Sequence, residues 1–551
     1  MQTLAFASPS AALAAILLCS TIVAQAPPAP ADAAARTAAQ QAVDRARQLS
    51  EHGELEAART AVEQAIAADP DCIAAHELLR DVAWRQRGRG GDKAKAKAAT
   101  DALLAQYDAW SKRFPDSYGV QFGIGAIFSS QEDPRARPHL LQAVRGKPDL
   151  AKAWEMLSID AERWGERDQA HEYMCRAAAA EPENADYAFY AASNLLHIDR
   201  AQWVTASLAV AERFAQSERG AQALYWLGQR AATDAERIGY WEQARTKFPP
   251  ERFSWTRSAM PGLFDVYLRT EPEKALALAK DLEARITAGD DRDDKEWKAR
   301  RTLAEQWVAA RRLVAEQRFA DAKQAYERMQ IDRRSSNAMW FALRKAEVTA
   351  AAGDVQAAYD GLCARMVTTP EDEVDAALAG YGEKLGRSRD QVRGDVCARR
   401  DAQARPAPPF ALQRYGTDAK ATLADFRGKV VLLTFWFPGC GPCRGEFPNF
   451  EHVLARFRGK DVAYVGVNTE TEQDDYVLPF LAGTKYSFTA LRGDDAITRP
   501  DAFNVRGCPT NFLIDQAGRI VYRNFRIDDG NELLLQRMIE SLLDHQPAAA
   551  K

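Results

Sequence analysis

The sequence predicts a two-part molecule: an all-α helical-repeat solenoid followed by a smaller α/β domain. Three observations carry that expectation. From about residue 33 to 400 the chain is rich in Ala, Glu, Arg and Leu and poor in β-branched runs. Within that stretch glycines, alanines and prolines return at fixed intervals. Beyond a short Pro/Ala stretch at 401–409, DAQARPAPP, continuous apolar runs of strand length take over.

The chain has 551 residues, enough for several domains, and its 46% hydrophobic content is that of a globular protein. A formal net charge of −4 with 27% charged residues leaves no basic footprint for nucleic acid. The histidines at 52, 76, 139, 171, 197, 452 and 545 show no metal-ligand spacing, so no His-based metal site is expected.

Residues 11–24, AALAAILLCSTIVA, are apolar but short for a membrane span, and Ala24-Gln25-Ala26 follows as a small-x-small cleavage site. The expectation is a signal peptide over 1–26, a Pro/Ala linker over 27–32 and an extracytoplasmic, periplasmic protein; an uncleaved segment would tether it to the membrane. Two features run against the common pattern: no Lys or Arg precedes the run, and Leu17-Leu18 before Cys19 is not a lipobox. Removal of Cys19 leaves Cys72, Cys175, Cys363, Cys397, Cys440, Cys443 and Cys508. That odd number leaves at least one thiol unpaired in the monomer.

In the helical region, 33–400, Gly53, Ala58, Ala65 and Pro70 are spaced 5, 7 and 5 apart, and Gly165, Ala170, Ala177 and Pro182 repeat those spacings. Ala136, Ala143 and Pro148 lie 34 residues before their counterparts in the second set. Gly353, Ala358 and Pro370 fit again, with Arg365 in place of the second alanine. The glycine should end the first helix of each pair, the alanines let helices approach, and the proline stop the second helix. Weaker copies are readable at 217–250, 256–289 and 303–336, and gaps such as the basic stretch Arg85–Lys97 interrupt them. The pattern resembles the tetratricopeptide repeat. That resemblance implies a concave surface for a protein partner; a spacer or self-association module is the plain alternative.

In the last domain, 410–551, VVLLTFWF (430–437) reads as a buried central strand and DVAYVGVNTE (461–470) as a second. Phe447, Phe450, Val453, Leu454 and Phe457 recur at helical spacing, and a further helical segment falls around 472–483. NFLID (511–515) and RIVYRNF (519–525) flank the turn signal Gln516-Ala517-Gly518, and Leu533–Leu543 is an amphipathic helix. The order β-α-β then ββα predicts a sheet with helices on both faces.

The first strand runs into Trp436-Phe437-Pro438-Gly439-Cys440-Gly441-Pro442-Cys443-Arg444-Gly445-Glu446. Cysteines three apart at a helix start bring their sulfurs within disulfide reach. The helix N-terminus favours a thiolate on the first. Cys440 is then the nucleophile on a substrate disulfide and Cys443 the resolving thiol. A structural zinc site also uses Cys-x-x-Cys, but no second such pair and no His pair is present to complete it. Far along the chain, Val505-Arg506-Gly507-Cys508-Pro509-Thr510 precedes NFLID.

Together FRGKVVLLTFW, CGPCRGEFP, VRGCPT and FLID resemble the TlpA-like branch of the thioredoxin superfamily over roughly 405–545. The resemblance implies a redox-active Cys440–Cys443 disulfide, a cis Pro509 facing it and shaping a substrate groove, and Glu446 tuning thiol acidity; a helix-dipole carboxylate is the plain reading of Glu446. It also implies client protein disulfides as substrates and a membrane or envelope electron donor that re-reduces the pair. Three departures stand out: Gly439 where relatives usually carry Trp, Thr434 where thioredoxin carries a buried Asp, and Cys508 before the proline. Cys508 could form an alternative disulfide or join a Cu(I) site, or serve as a small hydrophobe. Cys363 and Cys397, 34 residues apart, could bridge neighbouring helices, or, like Cys72 and Cys175, be inert packing thiols.

The expected activity is that of an exported thiol–disulfide reductase with no cofactor beyond its own disulfide. The Gly441-Pro442 dipeptide is thioredoxin's, whose potential is about −270 mV. The helical repeats would recruit clients. An oxidase or isomerase on the same pair is one alternative. The other is a repeat scaffold for an envelope complex, with the last domain as its docking module.

Overall fold

A computed structural model of the chain describes residues 33–86, 93–285, 291–331, 335–528 and 530–545. The expected signal and the linker at 27–32 lie outside these residues, as do positions 87–92 of the basic stretch. The described residues fall into two compact units, one up to residue 223 and one from residue 224 on.

In the first unit the repeat pattern becomes helix pairs. Helix Ala33–Glu51 is followed by Leu55–Ala68, and Ala151–Arg163 by Arg167–Ala180. The glycines between them, Gly53 and Gly165, have φ of +82° and +77°, a left-handed conformation that a Cβ would strain. The periodic alanines do what their size allows: Ala58, Ala65, Ala136, Ala143, Ala170 and Ala177 are all buried. Paired helices thus close on one another around Phe122, Trp154 and Tyr173.

The helical part of the second unit continues the theme. The weaker copies at 256–289 and 303–336 hold helices Ser254–Thr270, Pro272–Arg285 and Phe319–Arg328. Gly353, at φ +93°, separates Ala338–Ala351 from Val355–Thr368. Arg365, at the alanine position, is largely buried and clasps Glu371 through two bonds of 2.6 and 2.7 Å.

The last domain is a six-stranded mixed sheet in the order β1-β8-β7-β4-β5-β6. Its elements are β1 (Arg405–Pro406), β2 (Ala411–Gln413), β3 (Lys420–Thr422), β4 (Val430–Trp436), α1 (Gly441–Ala455), β5 (Val462–Asn468), α2 (Asp474–Thr484), β6 (Thr489–Arg492), α3 (Asp495–Thr498), β7 (Thr510–Ile514), β8 (Arg519–Arg523) and α4 (Glu532–Leu543). β4 pairs in parallel with β5 and antiparallel with β7, placing Thr434 opposite both Gly466 and Asn511. All seven residues of β4 are buried, as a central strand covered on both faces requires.

The two faces are covered differently, which departs from the expectation of helices on both. Val431, Leu433 and Phe435 face a cluster built from Leu412 and Ala421 of the β2–β3 hairpin, Leu423 and Phe426 of a 3₁₀ turn, Ile497 of the one-turn α3, and Phe503. On the other face Trp436 meets Phe447 of α1 and Phe480 of α2, with ring centroids 5.4 and 5.1 Å away. The stretch 401–409 is structured too: Asp401–Gln403 end the helix Arg389–Gln403, and Arg405–Pro406 pair with Ile520 and Arg519 of β8. Proline is tolerated there because β1 is an edge strand.

Candidate active site

β4 delivers the chain to the loop Phe437-Pro438-Gly439 at the edge of α1. Two bonds pin that loop: Cys440 N–H donates to the Phe437 carbonyl at 3.0 Å, and Gly439 N–H to Gln473 Oε1 at 2.7 Å. Cys440 is the N-cap of α1, and its Sγ accepts from Cys443 N–H at 3.2 Å. Pro442 falls in the first turn, where its missing N–H costs no helical bond. Cys440 and Cys443 are joined as a disulfide with Cα atoms 5.3 Å apart. Cys440 keeps a small exposed edge of 3% while Cys443 has none. The helix N-terminus therefore acts on the cysteine of the pair that keeps an exposed edge, which suits Cys440 for attack and Cys443 for resolution.

Trp436 is fully buried and supports the site from beneath; its Nε1 has no hydrogen-bond partner among the described residues. Cys508–Pro509 is a cis peptide bond. The Cys508 thiol is free and 3.3 Å from the Thr469 hydroxyl, packs against the apolar cluster under β4, and has its pKa pushed up by burial. That is the setting of a small hydrophobe. Among the described residues no group of three or more His, Cys, Asp or Glu could hold a metal ion.

Glu446 is not the exposed dipole carboxylate. It sits beyond the first turn of α1, turned inward and 4% exposed. Its Oε1 accepts from Arg526 Nε at 2.6 Å and Ile527 N–H at 3.2 Å, and its Oε2 from Asn511 Nδ2 at 2.8 Å. Burial pushes its pKa up, and the Asn511 and Arg526 bonds act against that push. Thr434, opposite Asn511 in the register, is fully buried, and its Oγ1 has no hydrogen-bond partner among the described residues.

Asn511, Arg526, Gln473 and Thr469 complete the site without a motif to mark them. Only Asn511 carries a hint, a polar residue opening an otherwise apolar strand run. Cys72, Cys363 and Cys397 are free and burial raises the pKa of each; the bridge between Cys363 and Cys397 does not form, and the Cys175 sulfur lies 3.6 Å from His171 Nε2.

Residues 402–533 match the redoxin family. The thiol:disulfide interchange protein HelX of Rhodobacter capsulatus is 36% identical over 118 residues, which are 21% of this chain and 64% of that protein. The thiol-disulfide oxidoreductase ResA of Bacillus subtilis is 34% identical over 116 residues, 21% of this chain and 63% of that protein. The thioredoxin-like protein YneN of Bacillus subtilis is 33% identical over 120 residues, 21% of this chain and 68% of that protein. The chain thus spans a little under two thirds of the first two. With a Cys-Gly-Pro-Cys disulfide capping α1 and a cis-proline before β7, the chain belongs, through its C-terminal domain, to the redoxin family of thioredoxin-like proteins.

Proposed function

We propose that the protein is an extracytoplasmic thiol–disulfide oxidoreductase that reduces disulfide bonds in client proteins. The observation that carries this reading is the Cys440–Cys443 disulfide at the N-terminus of α1, with Cys440 as the cap. In the dithiol form the Cys440 thiolate attacks a client disulfide. One client sulfur leaves as thiol and the other stays in a mixed disulfide with Cys440. Cys443 then attacks Cys440 Sγ, releasing the second client thiol and leaving Cys440–Cys443 oxidised. A dithiol donor in the envelope resets the pair. The names of HelX and ResA, an interchange protein and an oxidoreductase, support the same class of reaction.

Export is proposed from the apolar run 11–24 and the Ala24-Gln25-Ala26 site. Among the described residues no helix is long and apolar enough to cross a membrane. The helical repeats, whose spacing resembles that of tetratricopeptide repeats, are proposed to recruit the client.

The test is trapping. Cys443→Ser should accumulate a mixed disulfide between Cys440 and a disulfide-bonded protein, visible as a thiol-sensitive adduct in gels and mass spectra. Cys440→Ser should form no adduct and lose disulfide-reducing turnover at least a thousandfold. Equal turnover of the wild type and Cys440→Ser would remove the proposal.

A further inference from the structure

Glu446 places its carboxyl in the protein interior. Its side chain is 5% exposed, whereas that of its partner Arg526 is 55% exposed, so the cation reaches in from the surface to meet it. The remaining bonds to the carboxylate, from Asn511 of β7 and the Ile527 N–H, come from neutral groups. From β5 the phenol of Tyr464 also feels Glu446, but it is buried and its pKa is pushed far up by that burial, so it stays neutral. Among the groups bonded to Glu446, Arg526 is the one that brings positive charge. On α1 itself, Glu446 lies three residues after Cys443, which places the two on neighbouring turns of one face.

We infer that Arg526 is a positioning residue for the exchange reaction: its guanidinium holds the Glu446 carboxylate ionised and in place, one helical turn from Cys443, to take the proton that the Cys443 thiol must lose. This rests on the reading of Cys440–Cys443 as an exchanging pair. In the resolving step the Cys443 proton moves to Glu446. The Cys443 thiolate attacks Cys440 Sγ, the bond from Cys440 to the client sulfur breaks, and its electron pair leaves on that sulfur. The client thiolate is protonated and Glu446 returns its proton to solvent. The client disulfide is reduced to two thiols and the protein dithiol is oxidised to Cys440–Cys443. Burial favours a neutral Glu446 that cannot accept a proton and leaves its pKa raised overall; the paired cation works against that push, toward the charged form.

The experiment uses the reduced full-length protein and an aromatic disulfide reagent that releases a coloured thiolate. A first release follows attack by Cys440 and a second follows resolution by Cys443, so rapid mixing separates the two phases at each pH. Glu446 works as a base only when ionised, so the resolving phase slows as pH falls through its pKa. Arg526→Gln should move that midpoint to higher pH by about one unit and leave the first phase in place. Arg526→Lys, which keeps the charge, should retain most of the wild-type profile. In a Glu446→Gln background the Arg526→Gln change should add nothing. An Arg526→Gln profile that superimposes on the wild type would overturn the inference, as would an equal effect in the Glu446→Gln background. Absence of any second release from the wild type would overturn the exchange reading itself, which is a distinct result.

Discussion

Cys440 and Cys508 are chemically opposite thiols in one site. Reduced Cys440 would cap a helix N-terminus, which favours the thiolate. Cys508 is partly buried against apolar side chains, with the Thr469 hydroxyl beside it, and burial raises its pKa. Its thiolate fraction at neutral pH is therefore below that of an ordinary cysteine and grows only as pH climbs into the alkaline range. Brief iodoacetamide treatment of the reduced protein at pH 7 should label Cys440 and leave Cys508 unmodified, as read by peptide mass spectrometry. Comparable labelling of both would contradict the packing role of Cys508. Cys508→Ser should likewise keep the redox midpoint of the pair; a shift beyond about 30 mV, a tenfold change in equilibrium constant, would place Cys508 in the exchange. At this scale the sequence was legible where chemistry and spacing coincide, as in Cys440, Cys443 and Pro509. The partners of Glu446 were not, because Asn511 and Arg526 reach it from positions 65 and 80 residues away.

Among the elements, the helical hairpins were legible because one residue type does one job in each. Gly165 illustrates it: only a residue free of Cβ adopts φ +77° between Ala151–Arg163 and Arg167–Ala180 without strain. Gly165→Ala should cost about 1–2 kcal/mol, measured as a lowered denaturant midpoint by helical circular dichroism. An unchanged midpoint would mean that this turn does not constrain the pair. The long buried strands β4 and β5 and the β7–β8 hairpin were readable from apolar runs and a turn signal. β1, β2, β3 and β6 were not, because each spans only two to four residues and has too few side chains to show a period. Those short elements also explain the unequal faces of the sheet: a hairpin, a 3₁₀ turn and the one-turn α3 cover the side where a long helix was expected.

In the molecule as a whole, composition reads 401–409 as a short Pro/Ala linker, and pairing of Arg405–Pro406 with β8 holds that stretch against the sheet. Ion pairs reinforce the join: Asp401 takes Arg519 at 2.7 Å and His545 at 2.8 Å, and Asp372 takes Arg537 at 2.7 Å. Burial works to raise the Asp401 pKa, but the bonds from His545 and Arg519 outweigh it and hold the carboxyl below its ordinary value. A depressed carboxylate stabilises above its unfolded pKa and loses that contribution as pH falls through its folded one. The clasp should therefore persist through neutral pH and fail only in strong acid. Asp401→Ala together with Asp372→Ala should speed limited proteolysis within 401–409 severalfold at neutral pH, with each partly exposed pair worth less than about 1 kcal/mol. Unchanged cleavage would mean that strand pairing alone holds the join. The central claim is that this domain cycles between dithiol and disulfide. The most direct measurement is the redox equilibrium of the purified protein in defined thiol buffers, followed by Trp436 fluorescence and thiol alkylation with Cys440→Ser as control. The account predicts a two-electron couple near the thioredoxin value of about −270 mV. No Cys440–Cys443 disulfide at any potential would contradict it.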